Sequence, residues 1–99
     1  MTVVKYKAEQ GVYTLEADGH AAGDQNVCAA VSTLTQTLLG YLLNLERAGE
    51  AKVLQRRFGD GYVFVEAEGK ARCRDAFELI WFGFCQLSRS FPKQVSAKK

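Results

Sequence analysis

Apolar and polar residues alternate in four short stretches of the chain, which is the pattern of strands with one buried face. The stretches cover residues 1–10, Val12–Asp18, Lys52–Phe58 and Tyr62–Glu68. Gln10-Gly11 separates the first two stretches, and Gly59-Asp60-Gly61 separates the last two. Each pair is therefore predicted to form a hairpin with a short turn, in which Asp60 serves as a turn residue.

Two longer stretches show the three-and-four spacing of helices with one packed side. The first follows a small, polar loop over residues 21–26, begins near Val27 and ends before Gly49. Its apolar stripe consists of Val27, Val31, Leu34, Leu38, Leu42 and Leu45. Asp24 and Asn26 are both suitable N-cap residues, and Gly49 is placed to end the helix.

The second helix is predicted over Ala71–Ser90 and carries a wider apolar face. Its core stripe consists of Cys73, Phe77, Ile80, Phe84 and Leu87. Leu79, Trp81 and Phe82 widen this stripe beyond what one sheet face needs, so the face belongs either to a broad core helix or to a homodimer interface. Pro92 ends the helix, and the lysine-containing tail after it is predicted to be mobile.

The predicted element order is β-β-α-β-β-α. This order indicates an α+β layer domain, with a four-stranded, largely antiparallel or mixed sheet and two long helices. A length of 99 residues fits a single domain over residues 1–99. With 47% hydrophobic residues and one proline, the composition is that of a globular protein and excludes disordered and fibrous classes.

Charge and cysteine content narrow the function classes further. The 13 Lys and Arg residues against 11 Asp and Glu give a net charge of +2, so direct binding of nucleic acid is not expected. We expect no membrane span and no signal peptide, because no unbroken apolar stretch is long enough, and hence a cytoplasmic protein. Cys28, Cys73 and Cys85 fit neither a disulfide scaffold nor a thiolate zinc site.

One candidate catalytic pair remains, formed by the single histidine, His20, and Cys28. Cys28 falls in the first turn of a helix, where the helix dipole favours a thiolate. A nearby imidazole could take the thiol proton and later protonate a leaving amine, and amides at the helix start could stabilise an oxyanion. The spacing alone leaves an alternative open, in which Cys28 is a small core residue and His20 only ends a strand.

The residues around this pair resemble a known family. Gly19-His20-Ala21, followed by Val27-Cys28-Ala29-Ala30-Val31-Ser32, is similar to the signature of the ribosomal-processing cysteine proteases, the bacterial Prp family. The likeness continues through residues 32–37 and at Phe91-Pro92, and extends over nearly the whole chain. It implies a small homodimeric cysteine endopeptidase that removes an N-terminal extension from a large-subunit ribosomal protein precursor, without metal or organic cofactor.

The resemblance also implies roles for individual residues. His20 and Cys28 match the catalytic residues, Gly19 matches the glycine before the histidine, and Ser32 matches a serine that would line the site one helical turn after Cys28. The chain departs from the family in its shorter 21–27 loop, and in Gln25, which stands where members have an aspartate. Either Asp24 takes over that role, by capping the helix or orienting His20, or the role is lost.

A function of another class is a non-catalytic, ribosome-associated module of the same fold that binds protein or RNA. Lys70, Arg72 and Arg74 could meet RNA or an acidic partner, but a solvated polar face is the simpler explanation for them. A redox-sensing thiol would require a second cysteine near Cys28, whereas Cys73 and Cys85 are predicted to lie in the core.

Overall fold

The first hairpin consists of β1 (Thr2–Glu9) and β2 (Val12–Asp18) in a computed structural model that describes residues 1–20 and 25–98. Glu9 pairs with Val12, so the turn between them has two residues. Gln10 and Gly11 both have positive φ angles, 52° and 78°, as a type I′ turn requires. The hairpin predicted from the sequence is confirmed.

The second hairpin, β3 (Ala51–Gly59) and β4 (Tyr62–Gly69), lies beside the first. With β5 (Val95–Lys98), the strands form one sheet of order β3-β4-β2-β1-β5. Strands β2 and β4 pair in antiparallel fashion, with Asp18 opposite Tyr62 at one end. Because of this register, the Asp60–Gly61 turn and the residues after β2 meet at the same end of the sheet.

A fifth strand, β5 (Val95–Lys98), pairs in parallel with β1. The predicted α+β class is confirmed, but the sheet has five strands rather than four, and the tail that was predicted to be mobile is a strand as far as Lys98. The reason is that Val95 is 1% exposed within the core, and the Thr2 amide donates to the Gln94 carbonyl oxygen at 2.8 Å.

Helix α1 (Gln25–Arg47) begins two residues before the predicted start. Asn26 therefore lies inside the helix and does not cap it, while Asp24 lies outside the described residues. At the other end, Gly49 has a φ of 74° and donates its amide to the Glu46 carbonyl at 3.0 Å, and the Glu50 amide donates to the Leu45 carbonyl at 2.8 Å. These two bonds form a Schellman motif, so the predicted role of Gly49 is confirmed.

Helix α2 (Ala71–Ser90) packs with α1 on one face of the sheet. The core between the two layers contains alternate residues of the strands together with the helix stripes; its largest fully buried side chains are Phe77, Phe84, Leu15, Leu38 and Leu42. Cys73 is buried as predicted, whereas Cys85 is only half-buried. Of the three residues predicted to widen the apolar face of α2, Trp81 packs against the core. The other two, Leu79 and Phe82, are 70% and 67% exposed.

Helix α1 is also long and apolar enough to cross a membrane by length and composition, which the sequence interpretation did not anticipate. A core helix of a folded domain meets the same criterion. Here Val27, Leu38, Leu42 and Leu45 of α1 are buried against the sheet and α2, so its apolar stripe already has a partner within the fold.

Candidate active site

The residues after β2 are held in place by close backbone contacts. Gly19 has a φ of 102°, and a Cβ at this position would overlap the Met1 carbonyl oxygen. The Gly19 amide donates to the Gly61 carbonyl at 2.8 Å, and the Thr2 hydroxyl donates to the Gly19 carbonyl at 3.0 Å. Only glycine fits this position, and the residue that follows it is His20.

The His20 side chain lies against the turn between β3 and β4. Its Nε2 atom is 3.8 Å from Oδ1 of Asp60, and 62% of the side chain is exposed. The ring is therefore open to solvent and to an incoming ligand on one side, while the protein backbone contacts it on the other.

Cys28 is the fourth residue of α1 and lies in its first turn. The Cys28 side chain is exposed, so the alternative of a small core residue is wrong. Its neighbour Val27 is 1% exposed and packs the start of the helix against the core. The first turn lies at the positive end of the helix dipole, which favours negative charge nearby. Ser32, one turn further along, is also exposed.

These residues share one cleft of about 250 Å³. Its lining includes Gly19 and His20 from the end of β2, Cys28 and Ser32 from α1, and the whole turn between β3 and β4. The structure thus brings together four of the five residues predicted for the site. The fifth, Asp24, lies outside the described residues.

The cleft has a second wall that the sequence interpretation missed. Thr2, Asp60, Gly61 and Tyr62 contribute to its lining. Asp60 and Gly61 form the turn that was interpreted only as a connection, and Tyr62 is the first residue of β4. The strand order β3-β4-β2 would have revealed them, because it places this turn beside the end of β2. That order depends on pairing between residues more than 40 positions apart, which hydrophobic periodicity does not specify.

The polar groups of the cleft suit nucleophilic chemistry on a carbonyl carbon. They provide a thiol at a helix start and an imidazole, which are the two groups that acyl transfer through a thioester requires. The Tyr62 hydroxyl donates to Glu16 Oε2 at 2.7 Å, and this hydrogen bond raises the pKa of Tyr62. Among residues 1–20 and 25–98, no group of three or more His, Cys, Asp or Glu side chains is placed to hold a metal ion.

Two solved structures share this fold. The crystal structure of SMU.848 from Streptococcus mutans is 28% identical in sequence, with a TM-score of 0.71 over 99% of this chain and 92% of that chain. The essential ribosomal processing protease Prp from S. aureus, in complex with a covalently linked product peptide, superposes with a TM-score of 0.77. That match covers 99% of this chain and 98% of the other at 14% identity, and so shows a common fold.

The sequence itself carries the family assignment. No curated protein sequence matches the chain, but the family model described as cysteine protease Prp matches residues 1–96. This match confirms the resemblance seen in the Gly-His-Ala and Val-Cys-Ala-Ala-Val-Ser segments. The chain belongs to the Prp family of cysteine proteases.

Proposed function

We propose that this protein is a cysteine endopeptidase that removes the N-terminal extension of a large-subunit ribosomal protein precursor, with Cys28 as nucleophile and His20 as general base. The observation that carries the proposal is the shared cleft, which is lined by both an exposed cysteine at a helix start and the single histidine. Membership of the Prp family over residues 1–96 supports the reaction class.

In the first half-reaction, His20 takes the proton of the Cys28 thiol and the thiolate attacks the scissile carbonyl carbon. A C–S bond forms, and the carbonyl oxygen becomes an oxyanion beside the first turn of α1, where the helix dipole stabilises negative charge. The C–N bond then breaks as the imidazolium returns its proton to the leaving amine. The products of this step are a free N-terminus and a thioester on Cys28.

In the second half-reaction, His20 activates a water molecule that attacks the thioester carbon. The C–S bond breaks, the removed peptide leaves as a carboxylic acid, and Cys28 regains its proton. Ser32 lines the cleft one turn beyond Cys28, and the proposal assigns its hydroxyl a contact with the bound peptide. No step requires a metal or an organic cofactor.

The proposed substrate is an extended segment with apolar and aromatic side chains, as the family resemblance implies, and it would bind in a groove beside the sheet. The proposal places the reaction in the cytoplasm, and it includes a homodimer that uses the exposed face of α2. Leu79 and Phe82 on that face are more than 60% exposed, which is unusual for two large apolar side chains close together on a monomer.

The decisive experiment is peptide cleavage followed by mass spectrometry. The purified protein is mixed with a synthetic peptide that spans the N-terminal extension and the first mature residues of the ribosomal protein from its own organism. We expect cleavage by the wild type and no measurable cleavage by Cys28→Ala. The matched control is Cys85→Ala, which removes a half-buried thiol on α2 and should leave the rate unchanged.

Two results would count against the proposal in different ways. Cleavage that survives Cys28→Ala would exclude this cysteine as the nucleophile. An intact peptide after incubation with the wild type would exclude this substrate and favour the non-catalytic binding module. Alkylation of Cys28 by iodoacetamide separates these functions further, since an active dyad makes the wild type more reactive than His20→Ala near neutral pH.

A further inference from the structure

The turn between β3 and β4 contacts the His20 ring and the backbone before it. The Gly19 amide donates to the Gly61 carbonyl oxygen at 2.8 Å, which fixes the backbone before His20 to this turn. The ring then lies on the turn itself, with Nε2 3.8 Å from Oδ1 of Asp60. Backbone and side chain of the candidate base are thus positioned by the same two residues.

The absence of a side chain at Gly61 is what allows the ring to approach. A Cβ at this position would lie 2.5 Å from Nε2 of His20 and 2.9 Å from both Cδ2 and Cε1. Nε2 is therefore the ring atom nearest to the turn, and Nδ1 lies on the opposite edge of the imidazole. Of the two ring nitrogens, Nε2 is the one that lies against the turn and near the Asp60 carboxylate.

This arrangement has a chemical consequence, because the partner of one ring nitrogen decides which nitrogen carries the proton. A carboxylate accepts a hydrogen bond and donates none when ionised, so Asp60 favours the form of His20 protonated on Nε2. In that form Nδ1 has a free lone pair. The separation of 3.8 Å is longer than a hydrogen bond, as is common in catalytic sites before substrate closes over them.

We propose that Asp60 is a positioning residue of the peptidase, which holds the ring proton of His20 on Nε2 and leaves Nδ1 to take the proton of Cys28. This inference rests on the proposed function. The titratable groups that line the described part of the cleft with His20 are Cys28, Asp60 and Tyr62, and the Tyr62 hydroxyl is already bonded to Glu16. Asp60 is thus the carboxylate that faces the ring there.

The test compares Asp60→Ala, Asp60→Glu and Asp75→Ala. We expect Asp60→Ala to lower kcat about tenfold with little change in KM, a smaller loss than removal of His20, because an exposed carboxylate orients the ring only weakly. Asp60→Glu should restore most of the rate. Asp75→Ala removes an exposed carboxylate on α2 that does not line the cleft, and it should keep the wild-type rate.

A second measurement does not depend on turnover. Nitrogen-15 chemical shifts of the neutral His20 ring report how its proton is shared between Nε2 and Nδ1, and Asp60→Ala should increase the Nδ1-protonated fraction severalfold. Wild-type kcat in Asp60→Ala would overturn the inference, and so would an unchanged distribution of the ring proton. If the wild type cleaves nothing, the proposed function fails, while the ring spectra still decide whether Asp60 orients His20.

Discussion

Gly61 and Gly49 both have a left-handed backbone, with φ angles of 71° and 74°, but only Gly61 has an imidazole where a side chain would begin. We expect alanine at either position to lower the free energy of unfolding by about 1–2 kcal/mol, the cost of this backbone conformation for an L-residue. Gly61→Ala should also displace the His20 ring and reduce peptide cleavage at least tenfold. Thermal unfolding and the cleavage assay measure the two effects separately.

Gly49→Ala is the matched control, because no atom lies within 4 Å of the added methyl group. It should lose the same stability and keep full activity. Equal activity in the two variants would show that the turn beside His20 tolerates a methyl group at position 61. It would contradict the close contact between Gly61 and the His20 ring.

The sequence alone indicated the candidate catalytic residues, but not the residues that hold them in position. His20 and Cys28 lie eight positions apart, so a strand end followed by a helix start brings them together through local structure alone. Asp60 and Gly61 lie 40 and 41 positions after His20, and they reach it only through the pairing of β2 with β4. Local patterns therefore indicated the proposed nucleophile and base, but not the turn that contacts the His20 ring.

Among the elements, β5 is the one that periodicity missed. Its four residues follow Pro92 and contain a single large apolar side chain, Val95, which is too little for an alternating pattern to be recognised. Pairing with the parallel strand β1 stabilises this segment as a strand, since Val95 pairs with Thr2 across the sheet. Long-range strand pairing therefore makes a strand of a segment whose own composition favours a loop.

Val95→Ala tests how much this strand contributes. Removal of two buried methyl groups should lower the free energy of unfolding by about 2 kcal/mol, because Val95 is 1% exposed and the surrounding core cannot fully collapse into the space. Urea denaturation measures the change. Lys98→Ala, an exposed position in the same strand, should stay within about 0.5 kcal/mol of the wild type, and equal losses in both variants would argue against burial as the cause.

For the molecule as a whole, the wide apolar face of α2 is the feature that packing within the fold leaves exposed. Phe82→Glu places a charge at the centre of the proposed dimer interface, where it would be desolvated, so the dissociation constant should rise at least tenfold in sedimentation experiments. Leu54→Glu, on the bulged edge strand β3, is the control and should leave self-association unchanged. A wild-type protein that stays monomeric at high concentration would contradict the dimer.

The layer architecture followed from the order of predicted elements, but the order of strands in the sheet did not. Two hairpins and two helices can be assembled with either hairpin turned around, and the same apolar faces would be buried. The register that joins Asp18 to Tyr62 selects one of these arrangements. Side-chain packing across the whole core makes this choice, so it is not contained in any one segment.

The parallel pairing of β5 with β1 also sets an order of events during synthesis. The Thr2 amide donates to the carbonyl of Gln94, which is translated more than 90 residues after Thr2. A nascent chain that stops before Pro92 already contains His20 and Cys28, but its first strand lacks one of its two neighbours. The Thr2 hydroxyl holds the backbone after β2 through its hydrogen bond to Gly19, so the candidate site reaches its final support only after the residues of β5 have been translated.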